Sequence, residues 1–373
     1  MDFAYTEGQS AVAALARRIF DERLGAAAMK ALEATEPERF DREAWKVLAS
    51  SGLLGTGIAE VHGGAGQGFL EVCALLEEAG AAVAPLPLWE TLVLGAMPIA
   101  HAGRESQQRR WLPGVVAGEV VLTAALAEPD GTDPMHVATT ARMNGGTWRL
   151  DGAKTCVPHA RVAQRILVPA RTGASTLGLF LVAPDAAGVT LERQVATTGD
   201  PQYRVVLDGA HVSEPDVLGD PSRGADTLSW LLPRATIGLC AMELGVAARA
   251  LAMTASYTTT RQQFDRPIAT FQAVAQRAAD AYVDVESIRV TTWEAAWRLS
   301  EGLDAAEAVS TAKLFAAEAG HRVAFAAQHL HGGMGFDVEY PLYRYYLRSK
   351  LHELTLGSAS VHLERLGRLL AAG

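Results

Sequence analysis

The chain has 373 residues, 49% of them hydrophobic and 20% charged, with a net charge of −9. That length predicts two or three domains of roughly 100–200 residues each, and the composition is ordinary for a soluble globular protein. The negative charge offers no basic face for nucleic acid, and three cysteines, Cys73, Cys156 and Cys240, without C-x-x-C spacing, argue against a disulfide framework or a zinc site.

No run approaches the ~20 apolar residues of a membrane span. The opening MDFAYTEGQ lacks a basic region followed by an apolar stretch, so no signal peptide is expected. The expectation is a cytoplasmic enzyme or binding protein in a reducing compartment.

Residues 1–118 read as an N-terminal all-α domain. Val12, Leu15, Ile19 and Leu24 recur at helical spacing. FDREAWKVLASSGLL predicts a second helix with Asp41 as N-cap and a stop near Gly52. EVHGGAGQG reads as a glycine-rich surface loop, and FLEVCALLEEAGAAVAP as a third helix closed by Gly80 and Pro85.

Residues 119–222 change character. VVLTAALAE, ATTARM, TWRLDG, RILVPAR, LGLFLVAP, VTLERQV and YRVVLDGAHV are short runs separated by turn residues, and NGG at 144–146 is a hairpin signal. Strands so spaced, without helices between them, predict a central antiparallel β-barrel or sandwich domain. Over 223–373 the helical period returns. Ile237, Ala241, Leu244, Ala248 and Leu251 line one face of a first long helix, and Val274, Ala278, Ala281, Val285, Ile288 and Thr292 line a second. Two more helical stretches follow, which predicts a C-terminal four-helix bundle. The class is α+β, ordered helical, all-β, helical.

Two stretches carry chemistry. In QHLHGGMGF, residues 328–336, Gly332, Gly333 and Gly335 make a loop whose backbone can approach a ligand closely. A dinucleotide fingerprint needs a strand before its glycines, and here a helix precedes them. Taken alone, the loop also describes a helix C-cap and turn. His329 and His331, two residues apart, cannot share a helical face as metal ligands. In RQQFDRPIATFQ, Arg261, Gln263, Phe264 and Arg266 are expected to end one long helix, and Phe271 and Gln272 to begin the next. An arginine fork beside an aromatic suits a pyrophosphate and a ring system. A polar turn with Phe264 plugging the bundle is the alternative.

Taken together, RQQFDRPIATFQAVAQRAAD, QHLHGGMGFDVEYPLYRYYLRSK and the order of domains resemble the flavin-dependent acyl-CoA dehydrogenases, over essentially the whole chain. The resemblance implies α,β-dehydrogenation of an acyl-CoA thioester, with FAD shared across a subunit interface. It implies that Arg261, Phe264, Gln272, His329, Gly332 and Gly333 serve the adenosine and pyrophosphate part of a neighbour's FAD. His329 stands where the family commonly has Gln. A glutamate base removes the α-proton, a task that favours a dry carboxylate beside a polarised thioester.

The chain departs from the family where that base belongs. The usual Y-E-G-T string reads Thr355-Leu356-Gly357-Ser358, with Leu356 in the glutamate place. A minority of the family puts glutamate before an arginine at the start of the long helix, and here that pair is Pro233-Arg234. The flavin-ring segments differ too. LAEPDGTDP has Ala127 in the threonine place, and K-x-W-I-T-N reads Lys154-Thr155-Cys156-Val157-Pro158-His159. This combination resembles the non-catalytic partner subunits of actinobacterial acyl-CoA dehydrogenases, paired as α2β2 and acting on steroid side-chain CoA thioesters. A vacated second pocket then leaves room for a substrate larger than a linear acyl chain.

Three functions are carried forward: a partner subunit without a base of its own, a self-sufficient homo-oligomer using a substitute base, and a flavin-free scaffold. Glu353, three residues before Leu356, is the candidate substitute, and a surface pair with Lys350 is the simpler reading. Glu243 lies too deep in its helix, and His352 and His362 are expected on polar faces. No metal ligands are expected.

Overall fold

Helices occupy both ends of the chain and strands its middle. The computed structural model describes residues 4–131 and 133–372; Thr132, inside the LAEPDGTDP loop, lies outside the described residues. In chain order the helices are α1 (Glu7–Arg23), α2 (Ala26–Thr35), α3 (Arg42–Ser50), α4 (Phe69–Ala81), α5 (Met97–Ala102), α6 (Glu105–Val116), α7 (Gly224–Thr260), α8 (Gln272–Ser300), α9 (Ala306–His331), α10 (Leu342–Leu354) and α11 (Ala359–Ala372). A buried π-helical stretch, Trp89–Ala96, runs into α5. The strands are β1 (Leu122–Ala124), β2 (Thr140–Asn144), β3 (Thr147–Pro158), β4 (Arg165–Arg171), β5 (Leu177–Val182), β6 (Val189–Gln194), β7 (Gln202–Val212) and β8 (Val217–Leu218), with a small pair β9 (Gln262–Gln263) and β10 (Arg266–Pro267).

The chain divides into two compact units. The first comprises Met1–Ala26, Phe69–Ala84 and Thr236–Gly373, and the second Ala27–Gly68 and Pro85–Ala235.

In the first unit every residue of α7 from Thr236 to Ala247 is buried. The single face read from the spacing is therefore too narrow: this part of the helix is enclosed all round, as its apolar circumference demands. By length and composition α7 also passes for a membrane span, and most of its apolar stretch is buried within the chain. Two glycines let α4 and α7 touch backbone to backbone. A Cβ on Gly80 would collide with the Met242 carbonyl, and one on Gly245 with the Glu77 carbonyl.

The same unit buries polar side chains in an apolar setting. Glu243, 1% exposed, accepts from Ser349 Oγ at 2.7 Å and lies 2.8 Å from His352 Nδ1. Lys313 Nζ donates to the carbonyls of His352 and Glu353 at 2.5 and 3.2 Å, so its ammonium caps the end of α10. His352 and His362 are both buried, not on polar faces as the sequence pattern suggests.

The second unit is built on one mostly antiparallel sheet, in the order β6-β7-β3-β2-β4-β5-β8, with β1 parallel beside β4. β2 and β4 share a single paired position, Thr140 with Arg171. The two halves of the sheet share one core, where Trp148, Leu150, Tyr203 and Val205 meet Ile166, Val168, Phe180 and Val182. The hairpin at Asn144 has Gly145 and Gly146 at its two central positions, both with positive φ, as a two-residue primed turn requires.

Candidate functional site

The end of α7 and the start of α8 are not joined by a simple helical turn. Residues 262–267 form a tight hairpin, with Gln263 paired to Arg266 and Gln262 to Pro267. Phe264 and Asp265 occupy its two central positions at φ 55° and 63°. These are values glycine or asparagine adopts cheaply, while a side chain there costs about 1–2 kcal/mol. The strained turn holds Phe264 86% exposed, so it plugs no core. Its ring meets Phe271 edge-on at 6.0 Å, and the Arg266 guanidinium lies 4.2 Å over Phe271. Arg261, at the hairpin root, and Gln272, first residue of α8, are both exposed.

The glycine loop follows α9. Gly332 has φ 59° and ψ −132°, a conformation open to glycine alone. A Cβ on Gly335 would press on the Gln328 carbonyl, and Gln328 Nε2 donates to the Gly335 carbonyl at 2.7 Å. Gly333 has no such reason within the chain, because a Cβ there would meet nothing within 4 Å. His329 is exposed beside it.

Sequence reasoning passed over the residue that joins these pieces. His331 is 3% exposed, its ring stacked on Tyr257 at 4.3 Å and tilted against Tyr340 at 5.2 Å. The spacing Ala324, Ala327, His331 puts it on the buried face of α9, a signal available in the sequence.

Neither base position holds a carboxylate. Leu356 has φ 57°, and its carbonyl lies 2.9 Å from His362 Nε2. Pro233 sits well inside α7, not at its start, and leaves the Ser229 carbonyl without its helical donor. Arg234 folds back, its guanidinium 4.1 Å from the Trp230 ring and its Nη1 donating to the Trp230 carbonyl at 2.9 Å. Glu353 accepts from Lys350 Nζ at 2.5 Å and lies 3.4 Å from His321 Nδ1, so its carboxylate is engaged on the surface side.

In the second unit, hydrogen bonds tie together the described residues of the segments that differ from the flavoprotein pattern. Ala127 pairs with Thr155, whose N–H donates to the Ala127 carbonyl at 3.0 Å. Thr123 Oγ1 donates to the Pro158 carbonyl at 2.8 Å, and the Cys156 N–H donates to Gln194 Oε1 at 2.7 Å. Glu128 binds Lys154 Nζ at 2.7 Å and receives the N–H groups of Ala138 and Thr139 and the Thr139 hydroxyl. Burial works to raise the Glu128 carboxyl, but Lys154 and the Thr139 donors outweigh it and hold it at about 2. Burial pushes Lys154 below the ordinary lysine range. Cys156 is exposed and left-handed, at φ 52°, and presents a thiol and no ring.

Three family models match the chain. The acyl-CoA dehydrogenase N-terminal, middle and C-terminal domains cover residues 6–119, 123–210 and 222–371. Acyl-CoA dehydrogenase FadE27 of Mycobacterium tuberculosis is 40% identical over all of this chain and 99% of its own length. The ChsE4-ChsE5 complex from the same organism contains a chain 39% identical, with a TM-score of 0.94 over 100% of both chains. A variant of the Tcur3481-Tcur3483 steroid ACAD contains one 43% identical, with a TM-score of 0.91 over 98% of each. The chain belongs to the acyl-CoA dehydrogenase family, whose members are FAD-dependent oxidoreductases acting on CH–CH bonds.

Proposed function

We propose that the chain is the partner subunit of a heteromeric acyl-CoA dehydrogenase. It supplies Arg261, Phe264, Gln272, His329, Gly332 and Gly333 to the adenosine and pyrophosphate part of an FAD whose ring lies in a sister subunit. Bound there, FAD would supply a hydride acceptor for dehydrogenation of the acyl-CoA thioester. The sister subunit carries the glutamate that takes the α-proton. The assembly is α2β2 in a cytoplasmic setting.

One observation carries this reading: a strained hairpin and a glycine loop offer exposed groups to a ligand, while Leu356 and Pro233 stand where the base belongs. The residues of the first unit fit a nucleotide tail. Arg261 gives a guanidinium for a pyrophosphate. The space beside Gly332 and Gly333, which a Cβ would fill, admits a phosphate against the backbone. The residues of the second unit do not fit a flavin ring in the family's manner. Cys156 gives no aromatic plate, and Pro158 has neither hydroxyl nor N–H to offer the ring.

The relatives described as a ChsE4-ChsE5 complex and as a Tcur3481-Tcur3483 steroid ACAD support an assembly of two unlike chains, and the second supports a steroid substrate. A self-sufficient homo-oligomer would need Glu353, which Lys350 already holds. A flavin-free scaffold has no use for the hairpin strain.

Expressing the chain alone and beside a sister that retains a glutamate at either base position tests this. The chain alone is expected to purify colourless, and the pair yellow, bleaching with an acyl-CoA. A yellow chain that bleaches by itself would establish the homo-oligomer instead. A pair that never gains flavin would favour the scaffold.

A further inference from the structure

His331 links the two segments that the nucleotide reading depends on, the end of α7 that leads into the hairpin and the Gly332–Gly333 loop. Its ring stacks on Tyr257 at 4.3 Å with 21° between the planes. Tyr257 lies one turn before Arg261, and its carbonyl receives the Arg261 N–H at 2.8 Å. The next residue after His331 is Gly332, whose backbone conformation begins the loop. Tyr340, which leads the chain into α10, meets the edge of the imidazole and also lies 6.4 Å from the Tyr257 ring.

The hydrogen bonds fix which way the imidazole faces. Nδ1 lies 2.8 Å from the Ala327 carbonyl, which can only accept, so Nδ1 carries the hydrogen. Nε2 then holds the lone pair and accepts from the Tyr340 hydroxyl at 3.2 Å. Neither bond is irreplaceable. The Ala327 carbonyl already serves the helix as the acceptor four residues back, and the half-exposed Tyr340 hydroxyl can turn to water. The flat ring stacked on Tyr257 has no such substitute.

We propose that His331 is a positioning residue: its ring is the spacer that sets the hairpin root and the Gly332–Gly333 loop at the separation one nucleotide tail requires. The proposal rests on the partner-subunit reading above, and it adds a side chain that touches no ligand itself.

The test uses the full chain and ADP-ribose, an analogue of the FAD tail without the isoalloxazine. Its pyrophosphate does not titrate near neutrality. Binding is measured by calorimetry for wild type, H331A, H331F and H331N, with circular dichroism to establish that each is folded. H331A is expected to bind about tenfold more weakly, the scale of a lost aromatic stack. H331F, which keeps the ring and loses both hydrogen bonds, should return to within about threefold of wild type. H331N, which keeps a donor and loses the ring, should match H331A. Should H331A fail to fold, the H331F and H331N pair still decides the matter. Asparagine rescuing as well as phenylalanine, or a folded H331A binding like wild type, would overturn the positioning role while leaving the nucleotide reading intact. Wild type that does not bind ADP-ribose would remove the nucleotide reading, and the positioning role with it.

Discussion

The glycine-loop end of the first unit and the β3-side loops of the second unit keep different things. In the first, the side chains expected to meet a cofactor are present and exposed, on a hairpin whose central Phe264 and Asp265 are both left-handed. In the second, hydrogen bonds through Glu128, Lys154, Thr123 and Gln194 shape the loops. Yet the side chains those loops present are Ala127, Cys156 and Pro158. The difference teaches that scaffold and chemistry separate. Lys154 is buried with Glu128 half-buried against it, so removing the carboxylate strands a charge in the core, and the pair is retained for folding. Cys156 is exposed, and its identity is free to follow function.

The largest effect expected from that contrast is in the second unit. Glu128→Ala leaves Lys154 buried without its partner and three further donors without their acceptor, and should destabilise the chain by about 3–5 kcal/mol. Chemical denaturation measures this. A loss below about 1 kcal/mol, the scale of an exposed pair, would mean that the pair is not part of the scaffold.

Acid should separate the regions next. Burial lowers the His362 imidazole to about 4 and lowers His352 and His331 as well. The unfolded chain therefore takes up protons first, and the first unit loses stability as pH falls from about 6.5 toward about 4. Glu128 works in a lower window. Its carboxyl at about 2 contributes stability above its ordinary value of 4.5, lost only as pH falls from there toward 2. Hydrogen exchange followed segment by segment should show the helices around His352 and His362 opening at higher pH than β3. Simultaneous opening would break the comparison.

The smallest stability change, and the most telling, concerns the hairpin. Phe264→Gly removes a left-handed side chain that packs little, and should raise stability by about 1 kcal/mol. The same change should lower the flavin retained by the assembled pair. A variant that is less stable, or that keeps its flavin fully, would show that the strain serves folding rather than a ligand.

Much of this was legible in the sequence, for identifiable reasons. The strands β1 to β7 follow short runs separated by turn residues, and Gly145-Gly146 announces its hairpin. The glycine loop was readable because only glycine tolerates the Gly332 conformation. What stayed hidden lies where residue type and environment disagree. Phe264-Asp265 conceals a primed turn behind residues that seldom make one, so the segment read as helix ends. Pro233 reads as a helix start, although α7 begins nine residues earlier. The π-helical Trp89–Ala96 has no periodic signature of its own. His352, His362 and Lys313 are buried polar groups whose partners come from distant helices, which no local pattern reveals. Glu243 did leave a trace, as a lone acid in the apolar run IGLCAMELGVAARAL.

The central claim is that one chain type clasps a nucleotide tail that it cannot follow with a ring pocket or a base. Flavin stoichiometry in the purified two-subunit assembly tests it most directly, by FAD absorbance against chains counted by amino-acid analysis. The account predicts one FAD for each pair of unlike chains. Two FAD per pair, with a ring seated beside Cys156 and Pro158 of this chain, would contradict it.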